Sequence, residues 1–294
     1  MRVRTLAVVL LAGGLALTAC GKEGGPGDTG APSQQVAADV AVDGSPTFDK
    51  IKARGRVVIG VKEDQPGLGY KDPTSGKFNG FDIEIAKLVA AKLGYDDTKI
   101  DYKAIPSAGR EQALINGDVD YYVGTYTINA KRKDQVAFAG PYFTAGQDLL
   151  VKKDDNSITG PETLKGKKVC SVTGSTPIQK VKSDGLTEPE NIVELQNYSQ
   201  CVEQLEQGAV DAVTTDDAIL KGYAAQSPTT LKVVGKPFSN EPYGIGLPKD
   251  DKALRDKVND ILEAAITGGD WQAAYDATLG KSGSTADKPV LDRY

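Results

Sequence analysis

Residues 114–120 read L-I-N-G-D-V-D and residues 205–211 read L-E-Q-G-A-V-D, so the pattern L-x-x-G-x-V-D occurs twice. In each copy a helical apolar pattern stops at a glycine, and a strand-like run follows. The same offset relates Thr125 to Asp216, which places polar side chains after two equivalent strands. Because open α/β sheets bind ligands outside the carboxyl ends of their strands, the repeat predicts an α/β fold of two similar lobes that face each other across a cleft.

Hydrophobic periodicity extends this reading to the rest of the chain. The first lobe is expected to hold strands at 56–62, 99–104 and 119–124 with a helix at 81–93, and the second lobe strands at 168–172, 210–214 and 231–234 with helices at 199–207 and 217–225. The predicted boundaries are 46–147 and 244–280 for the first lobe and 148–243 for the second. The chain therefore crosses between the lobes twice, and we expect hinges near residues 146–149 and 241–245.

The first 20 residues have the pattern of a processing segment, which takes no part in the fold. Arg2 and Arg4 precede an apolar run at 6–17, and Leu17-Thr18-Ala19-Cys20 follows. This arrangement resembles the lipobox of bacterial lipoproteins, which implies that Cys20 carries the lipid and becomes the mature N-terminus. A plain secretion signal with a chance cysteine is the alternative.

The sequence after the processing segment predicts a lipid as the sole membrane attachment. No second apolar run approaches the length of about 18 residues that indicates a membrane-spanning helix. Residues 21–45 are rich in Gly, Pro, Ala, Ser and Asp, so they cannot bury enough surface to offset ordering entropy, and we expect a flexible tether. Residues 281–294 are expected to form a loose polar tail. The expected location is the extracytoplasmic face of the bacterial cell membrane.

The charged residues exclude several classes of function. Lys and Arg total 35 and Asp and Glu total 40, for a net charge of −5, and the two signs are interspersed, so nothing favours nucleic acid as a partner. The chain contains no histidine, which removes histidine-based acid–base catalysis, Ser-His-Asp triads and histidine zinc sites. We expect no catalytic residues, no metal and no cofactor.

With Cys20 assigned to a lipid, Cys170 and Cys201 remain. An exported chain with one even pair of cysteines is most simply interpreted as carrying one disulfide. Closing that loop removes roughly 3.5–4 kcal/mol of unfolded-state entropy on the loop-closure model. Two buried free thiols are the alternative.

Residues 124–142 read G-T-Y-T-I-N-A-K-R-K-D-Q-V-A-F-A-G-P-Y and carry the strongest functional signal. Thr125 and Thr127 are two apart, so on an extended backbone they point to one side. Arg132 follows, and its planar guanidinium can donate two parallel hydrogen bonds to a carboxylate. A solvated arginine after an ordinary strand is the alternative interpretation.

This segment resembles the corresponding stretch of the family 3 periplasmic amino-acid-binding proteins, the receptors of polar amino-acid ABC importers. The resemblance covers about residues 56–279 and implies a two-lobed, type II periplasmic-binding-protein fold. It also implies that Thr125, Thr127 and Arg132 hold the α-carboxylate and α-amino groups of an amino acid.

Two further positions of that site come from the second lobe by the same resemblance. Thr176, in the sequence Gly174-Ser175-Thr176, is implied to complete the α-carboxylate site, and a plain helix cap is the alternative. Asp216 is implied to pair with the ligand's ammonium, and the internal repeat favours it over the adjacent Asp217.

Three more residues suggest which side chain the ligand carries. In the acidic amino-acid members of the family, Lys62, Arg110 and Tyr198 correspond to residues that bind the distal carboxylate. Taken singly, the two cations would be interpreted as surface charges. Residues 65–68 read Q-P-G-L, without the aromatic ring that several members stack over the ligand.

The expected function is a monomeric, lipid-anchored receptor that captures L-glutamate or L-aspartate by hinge closure and delivers it to an ABC permease and, through it, an ATPase. A receptor for glutamine or asparagine is one alternative. An enzyme similar to cyclohexadienyl dehydratases, which resemble these receptors, is another, and a sensor input domain is disfavoured because no membrane helix follows.

Overall fold

The computed structural model describes residues 34–282 and 286–294, so the expected signal segment and Cys20 lie outside the described residues. The strands are β1 (Val57–Val61), β2 (Tyr70–Lys71), β3 (Phe78–Asn79), β4 (Ile100–Ala104), β5 (Tyr121–Val123), β6 (Ala137–Ala145), β7 (Gln147–Lys152), β8 (Val169–Val172), β9 (Ile192–Leu195), β10 (Ala212–Asp216), β11 (Leu231–Val233) and β12 (Glu241–Leu247). The α-helices are α1 (Pro46–Arg54), α2 (Phe81–Lys92), α3 (Arg110–Asn116), α4 (Ala130–Lys133), α5 (Thr176–Ser183), α6 (Tyr198–Gln207), α7 (Asp217–Gln226), α8 (Lys252–Gly268) and α9 (Asp270–Ala277). Short 3-10 helices lie at Asp97–Lys99, Ser107–Gly109, Pro161–Thr163, Pro189–Asn191 and Leu279–Ser282.

Two five-stranded sheets form the two lobes, which confirms the predicted α/β architecture. The first has the order β4-β1-β5-β12-β6 and the second the order β11-β7-β10-β8-β9. In each sheet four strands run in the same direction, and one strand, β12 in the first sheet and β7 in the second, runs antiparallel to both of its neighbours. Strands β5 and β10, which follow the two copies of the repeat, are the central strands. Their carboxyl ends are therefore at equivalent places in the two lobes.

The parallel strands form because short apolar runs are covered on both faces. All four residues of β8 are buried, and so are four of the five residues of β1. Such near-continuous apolar strands are typical of parallel sheets under helices. The last helices return to the first lobe, where the Trp271 ring packs edge-on against Phe81 and its indole N–H donates to the Tyr142 carbonyl at 2.7 Å.

The two crossings between the lobes lie side by side. Gly146 joins β6 to β7, and residues 234–240 join β11 to β12. The Phe238 N–H donates to the Gln147 carbonyl at 2.8 Å, and the Gln147 N–H donates to the Ser239 hydroxyl at 2.9 Å. The second crossing comes earlier than expected, because β12 already pairs with β6 from residue 241. The expected boundary at 243/244 therefore falls inside a strand of the first sheet.

Both ends of the described chain pack on the first lobe, unlike the expected tether and tail. The Ala37 N–H donates to the Ala91 carbonyl at 2.9 Å, and Val42 is buried. At the other end the Asp292 N–H donates to the Gly140 carbonyl at 2.8 Å, and the Phe138 N–H donates to the Tyr294 hydroxyl at 2.9 Å. The expected tether therefore does not extend to residue 45, and the tail is held by backbone and aromatic contacts that its polar composition does not reveal.

The structure joins Cys170 of β8 to Cys201 of α6 by a disulfide. Both sulfurs are fully buried in the second lobe. The pairing agrees with the interpretation of an exported chain with an even number of cysteines after Cys20 is set aside.

We expect thiol alkylation of the denatured, unreduced protein to leave Cys170 and Cys201 unmodified, with both becoming reactive after reduction. Peptide mass spectrometry resolves these two sites from Cys20. A labelled Cys170 or Cys201 before reduction in most molecules would contradict the disulfide.

Candidate functional site

The predicted contact residues come together where the two lobes meet. The Thr127 and Thr176 hydroxyl oxygens are 3.3 Å apart, and the Arg132 guanidinium donates from the first lobe to the Gly174 carbonyl of the second at 3.0 Å. The other predicted residues are buried around them: Lys62, Arg110, Thr125, Tyr198 and Asp216. The lobes are thus closed on one another, with charged groups enclosed between them.

Thr125 has a strained backbone at the end of β5. Its φ of +45° is rare for a β-branched residue, so the extended geometry assumed from the sequence does not apply here. The Asp82 carboxylate accepts its N–H at 3.1 Å, and the Gln65 side-chain oxygen accepts its hydroxyl at 3.1 Å. Strain of this kind persists only where surrounding contacts hold it, and it is concentrated at functional sites.

Asp82 lies beneath the site and was missed by the sequence analysis. Burial raises the pKa of Asp82 to about 7, opposed by the Tyr142 hydroxyl, which donates to it at 2.8 Å, by the Thr125 N–H and by the charge of Lys62. The available signal was a carboxylate in the first turn of α2, a helix whose remaining residues are almost all buried. A carboxylate on such a helix needs buried donors, and the strained end of β5 supplies one.

Arg132 stands on the four-residue helix α4, which Asn129 caps by accepting the Arg132 N–H at 2.9 Å. Its Nη1 donates to the Thr127 carbonyl at 2.7 Å, and its Nε lies 3.3 Å from a carboxylate oxygen of Glu111. Burial and the neighbouring Arg110 lower the pKa of Arg132 to about 10, so it remains a cation at neutral pH. The solvated-arginine alternative does not describe this side chain.

Glu241, also missed by the sequence analysis, connects the two threonines to the second crossing. One of its carboxylate oxygens accepts the Thr127 hydroxyl at 2.8 Å and the Thr176 hydroxyl at 2.7 Å, and the other accepts the Ser239 hydroxyl at 2.7 Å. The two hydroxyl protons are therefore committed to the protein itself. Ser175, meanwhile, caps α5 by accepting the Ile178 N–H at 3.2 Å, so only Thr176 of this pair faces the first lobe.

Asp216 ends β10 and is buried beside Glu241. The Tyr243 hydroxyl donates to one of its oxygens at 2.6 Å, whereas the other oxygen has no hydrogen-bond partner among the described residues. Burial, together with the charge of Glu241, raises the pKa of Asp216 to about 8. The adjacent Asp217 instead accepts the Gly146 N–H at 3.2 Å and pairs with Lys221. Asp216 is therefore the acid that a bound ammonium would satisfy.

The cationic side of the cleft holds Lys62 and Arg110 under different constraints. The Lys62 ammonium donates to the Ser107 hydroxyl at 3.0 Å, and burial lowers its pKa to about 8. Arg110 donates to the carbonyls of Ser107 at 3.1 Å and Thr125 at 3.2 Å, and its guanidinium lies 4.3 Å from the centre of the Tyr126 ring. Arg110 also donates to the carbonyls of Gly124 at 3.5 Å and Gly174 at 3.4 Å, so it uses four of its five N–H donors, whereas Lys62 uses one of three.

A cavity of about 110 Å³ lies beside Lys62 between the lobes. Glu63 and Asp64 of the first lobe and Gln196 and Asn197 of the second also line it, whereas the other predicted contact residues do not. Gln65 belongs to the segment that lacks an aromatic ring over the ligand. Its side chain is buried, and its amide nitrogen has no hydrogen-bond partner among the described residues. Tyr198 is buried on the second-lobe side, close enough to Asp216 for that charge to help burial raise the pKa of Tyr198.

This arrangement can hold a zwitterion, because separate cationic and anionic groups, Arg132 and Asp216 among them, are buried where the two lobes meet. In the described part of the chain no cluster of His, Cys, Asp and Glu is suited to a metal ion, and no helix is long and apolar enough to cross a membrane.

We expect Asp216→Asn to stabilise the ligand-free protein by an amount that grows between about pH 4 and pH 8. An aspartate ionises near pH 4 in the unfolded chain but near pH 8 when buried here, so the wild-type fold loses stability as pH rises through that window. The loss is at most about 1.4 kcal/mol per pH unit. Denaturant unfolding at several pH values measures it, with the exposed Asp250→Asn as control. A gain in unfolding free energy that does not change with pH would contradict a buried Asp216 carboxylate with a raised pKa.

Comparison with known proteins agrees with this geometry. The family described as bacterial extracellular solute-binding proteins, family 3, matches residues 57–281. The chain is 40% identical over 296 aligned positions to the glutamate-binding protein GluB of Corynebacterium efficiens, across 95% of this chain and 93% of that protein. It is 41% identical over 251 positions to a glutamine-binding protein of Geobacillus stearothermophilus, across 84% of this chain and 92% of that one.

Among solved structures, an ancestral arginine-binding protein bound to arginine matches with a TM-score of 0.71 and 39% sequence identity. The match covers 77% of this chain and 99% of that one. The fold is thus the type II two-lobed fold expected from the sequence. The chain belongs to family 3 of the bacterial extracellular solute-binding proteins, the extracytoplasmic receptors that bind amino acids and deliver them to the permease of an ABC importer.

Proposed function

We propose that this receptor captures an acidic L-amino acid, glutamate or aspartate, and that a lipid on Cys20 anchors it to the membrane. The observation that carries the proposal is the buried ammonium of Lys62 beside Arg110. Lys62 makes one hydrogen bond among the described residues, to Ser107, so two of its three N–H donors are free for a ligand. A distal carboxylate would accept from these donors and add a negative charge that offsets the desolvation of the ammonium.

The α-carboxylate and α-ammonium have separate partners in the proposed complex. Arg132 has five N–H donors, and three are directed at Thr127, Gly174 and Glu111, which leaves one on each terminal nitrogen for a carboxylate. The unpartnered oxygen of Asp216 receives the ammonium. The threonine hydroxyls can donate to the ligand only by leaving Glu241, so we assign the main carboxylate contact to Arg132.

Charge then selects among amino-acid side chains. A cationic side chain about 4 Å from the Lys62 ammonium would cost roughly 4 kcal/mol at an intermediate effective dielectric. Glutamine or asparagine would add no negative charge to those of Asp64 and Asp82 near Lys62, and those charges do not prevent burial from lowering the pKa of Lys62. A neutral ligand remains the principal alternative, since the relatives include both a glutamate-binding and a glutamine-binding protein.

Capture proceeds by closure of the lobes about the paired crossings. Arg132 and Thr127 contact the second lobe, and contacts made only in the closed form stabilise it. We propose binding rather than catalysis, because the cleft acids Asp216 and Glu241 each have a binding or structural role. Formation of an aromatic product from prephenate or arogenate would favour the dehydratase alternative instead.

We expect Arg132→Ala to abolish measurable amino-acid binding while the protein stays folded. A buried ligand carboxylate would lose its charged partner, and removal of one member of such a pair typically costs about 2–5 kcal/mol or more. Calorimetric titration measures binding, and circular dichroism checks the fold. Lys131→Ala, on the exposed side of the same helix, is the matched control and should bind normally. Near-normal affinity in Arg132→Ala would disprove the assigned site.

Specificity is tested by titrating L-glutamate, L-aspartate and L-glutamine into wild type, Lys62→Met and Arg110→Met. The wild type should prefer an acidic ligand. Lys62→Met should weaken that ligand by about 2 kcal/mol or more, because its distal carboxylate would be buried without a partner, and should change glutamine little. Arg110→Met should weaken every ligand, since Arg110 also holds the carbonyls of the cleft.

The same preference should depend on pH. With a pKa of about 8 in the free protein, Lys62 loses its proton above pH 8, so binding an acidic ligand then requires proton uptake. The ratio of glutamate to glutamine affinity should therefore fall from pH 7 to pH 9. Equal losses for both ligands in Lys62→Met, or a constant ratio across pH, would refute the acidic specificity.

A further inference from the structure

A loop after β1 touches both the amino-acid site and the second lobe. We name residues 63–68 the closure loop. It is a tight turn of the first lobe, in which the Gln65 N–H donates to the Gly69 carbonyl at 2.9 Å and the Leu68 N–H donates to the Gln65 carbonyl at 3.1 Å. Helix α2 begins directly against it, because any side chain at Gly80 would overlap the Leu68 carbonyl. The closure loop therefore moves with the first lobe.

Asp64 connects the closure loop to two helices of the second lobe. Its carboxylate accepts the Ser199 N–H in the first turn of α6 at 3.2 Å, where the helix dipole favours a negative charge. The Tyr223 hydroxyl of α7 donates to the Asp64 carbonyl. Neither contact involves a group assigned to the amino acid.

Pro66 makes the closest approach, and it faces a glycine. A Cβ added to Gly222 in α7 would overlap the Pro66 carbonyl oxygen and lie 3.1 Å from its carbon and 3.3 Å from the Pro66 Cβ. Gly222 lies inside a helix, where glycine is about 1 kcal/mol less favourable than alanine. Glycine lowers the stability of the helix at this position. We therefore attribute its presence to the close contact with Pro66, which a side chain would prevent.

Successive residues of the closure loop contact the site and the second lobe in turn, which links this contact to the ligand. Gln65 bonds the Thr125 hydroxyl inside the site, whereas Asp64 and Pro66 on either side of it touch the second lobe. The contact also lies away from the hinge, since β1 is on one side of the central strand β5 and the crossing strands β12 and β6 are on the other. A small displacement here therefore corresponds to a small rotation about the hinge.

We propose that the contact of the closure loop with α6 and α7 is a second closure site, separate from the ligand, and that Gly222 is the residue that permits it. The inference rests on the proposed function in one respect, that closure traps the amino acid. A contact made only in the closed form raises the population of that form and so strengthens the binding of any ligand that requires it. Gly222 acts as a positioning residue and touches no ligand.

The test compares Gly222→Ala with Gly268→Ala, a glycine at the end of helix α8 that has nothing within 4 Å of an added Cβ. Both substitutions should keep or raise the thermal midpoint, because alanine favours a helix. Gly222→Ala should weaken L-glutamate and L-glutamine binding by the same factor, at least tenfold, mainly through faster dissociation. Its radius of gyration by small-angle X-ray scattering should exceed that of Gly268→Ala under the same conditions.

Tyr223→Phe is a second variant, which removes the hydroxyl that reaches Asp64 and keeps the ring. It should speed dissociation several-fold without lowering the thermal midpoint. If Gly222→Ala and Gly268→Ala agree in both dissociation rate and radius of gyration, the inference is overturned.

Failure of the proposed specificity is a distinct outcome. If the wild type prefers glutamine, the proposed acidic specificity is wrong. The two glycine variants would then be compared by their affinities and dissociation rates for glutamine. If wild type binds no amino acid, the ligand-free radius of gyration decides: a larger value for Gly222→Ala supports the second closure site, and equal values refute it.

Discussion

The closed form depends on the hydrogen bonds that satisfy buried charged groups where the lobes meet. Lys62, Arg110 and Arg132 are all at least nine-tenths buried, and an ion removed from water costs several kcal/mol unless partners replace its hydration. Backbone carbonyls supply much of that replacement, above all those of Thr127 and Gly174. These carbonyls are free to accept because the backbone beyond the strand ends is irregular. The buried cations therefore depend on the conformation of these loops, and the loop carbonyls depend on the cations as hydrogen-bond donors.

Among the acids of the cleft, Asp216 is paired less completely than Asp82 and Glu241. Asp82 and Glu241 each receive two or more donors, whereas one oxygen of Asp216 is left without a partner in the described structure. The ligand-free protein thus bears an electrostatic cost that a bound ammonium removes. Functional sites commonly lower the free energy of unfolding in this way, because groups arranged to bind a ligand are incompletely satisfied without it.

The sequence predicted the two lobes from a local pattern, and the family resemblance supplied eight candidate contact residues, which the structure brings together where the lobes meet. The repeat located β5 and β10, and Arg132 on the short helix α4 donates back to the Thr127 carbonyl. What it missed is nonlocal: Asp82 and Glu241 become part of the site only through contacts with Thr125 and with Thr127 and Thr176. The packing of residues 34–45 and 286–294 is also nonlocal, since each segment is too short and too polar to show a periodicity of its own.

The disulfide has a mechanical consequence that follows from its place in the second lobe. Cys170 and Cys201 join β8 to α6 within one sheet-and-helix layer, and neither crossing segment is part of the closed loop. The covalent bond therefore restrains one rigid body and leaves the rotation between the two bodies unrestricted. The disulfide also holds α6, whose first turn contacts Asp64. Oxidising conditions outside the cell therefore stiffen the surface of the second lobe that the first lobe contacts on closure, and they do not restrict the closing rotation.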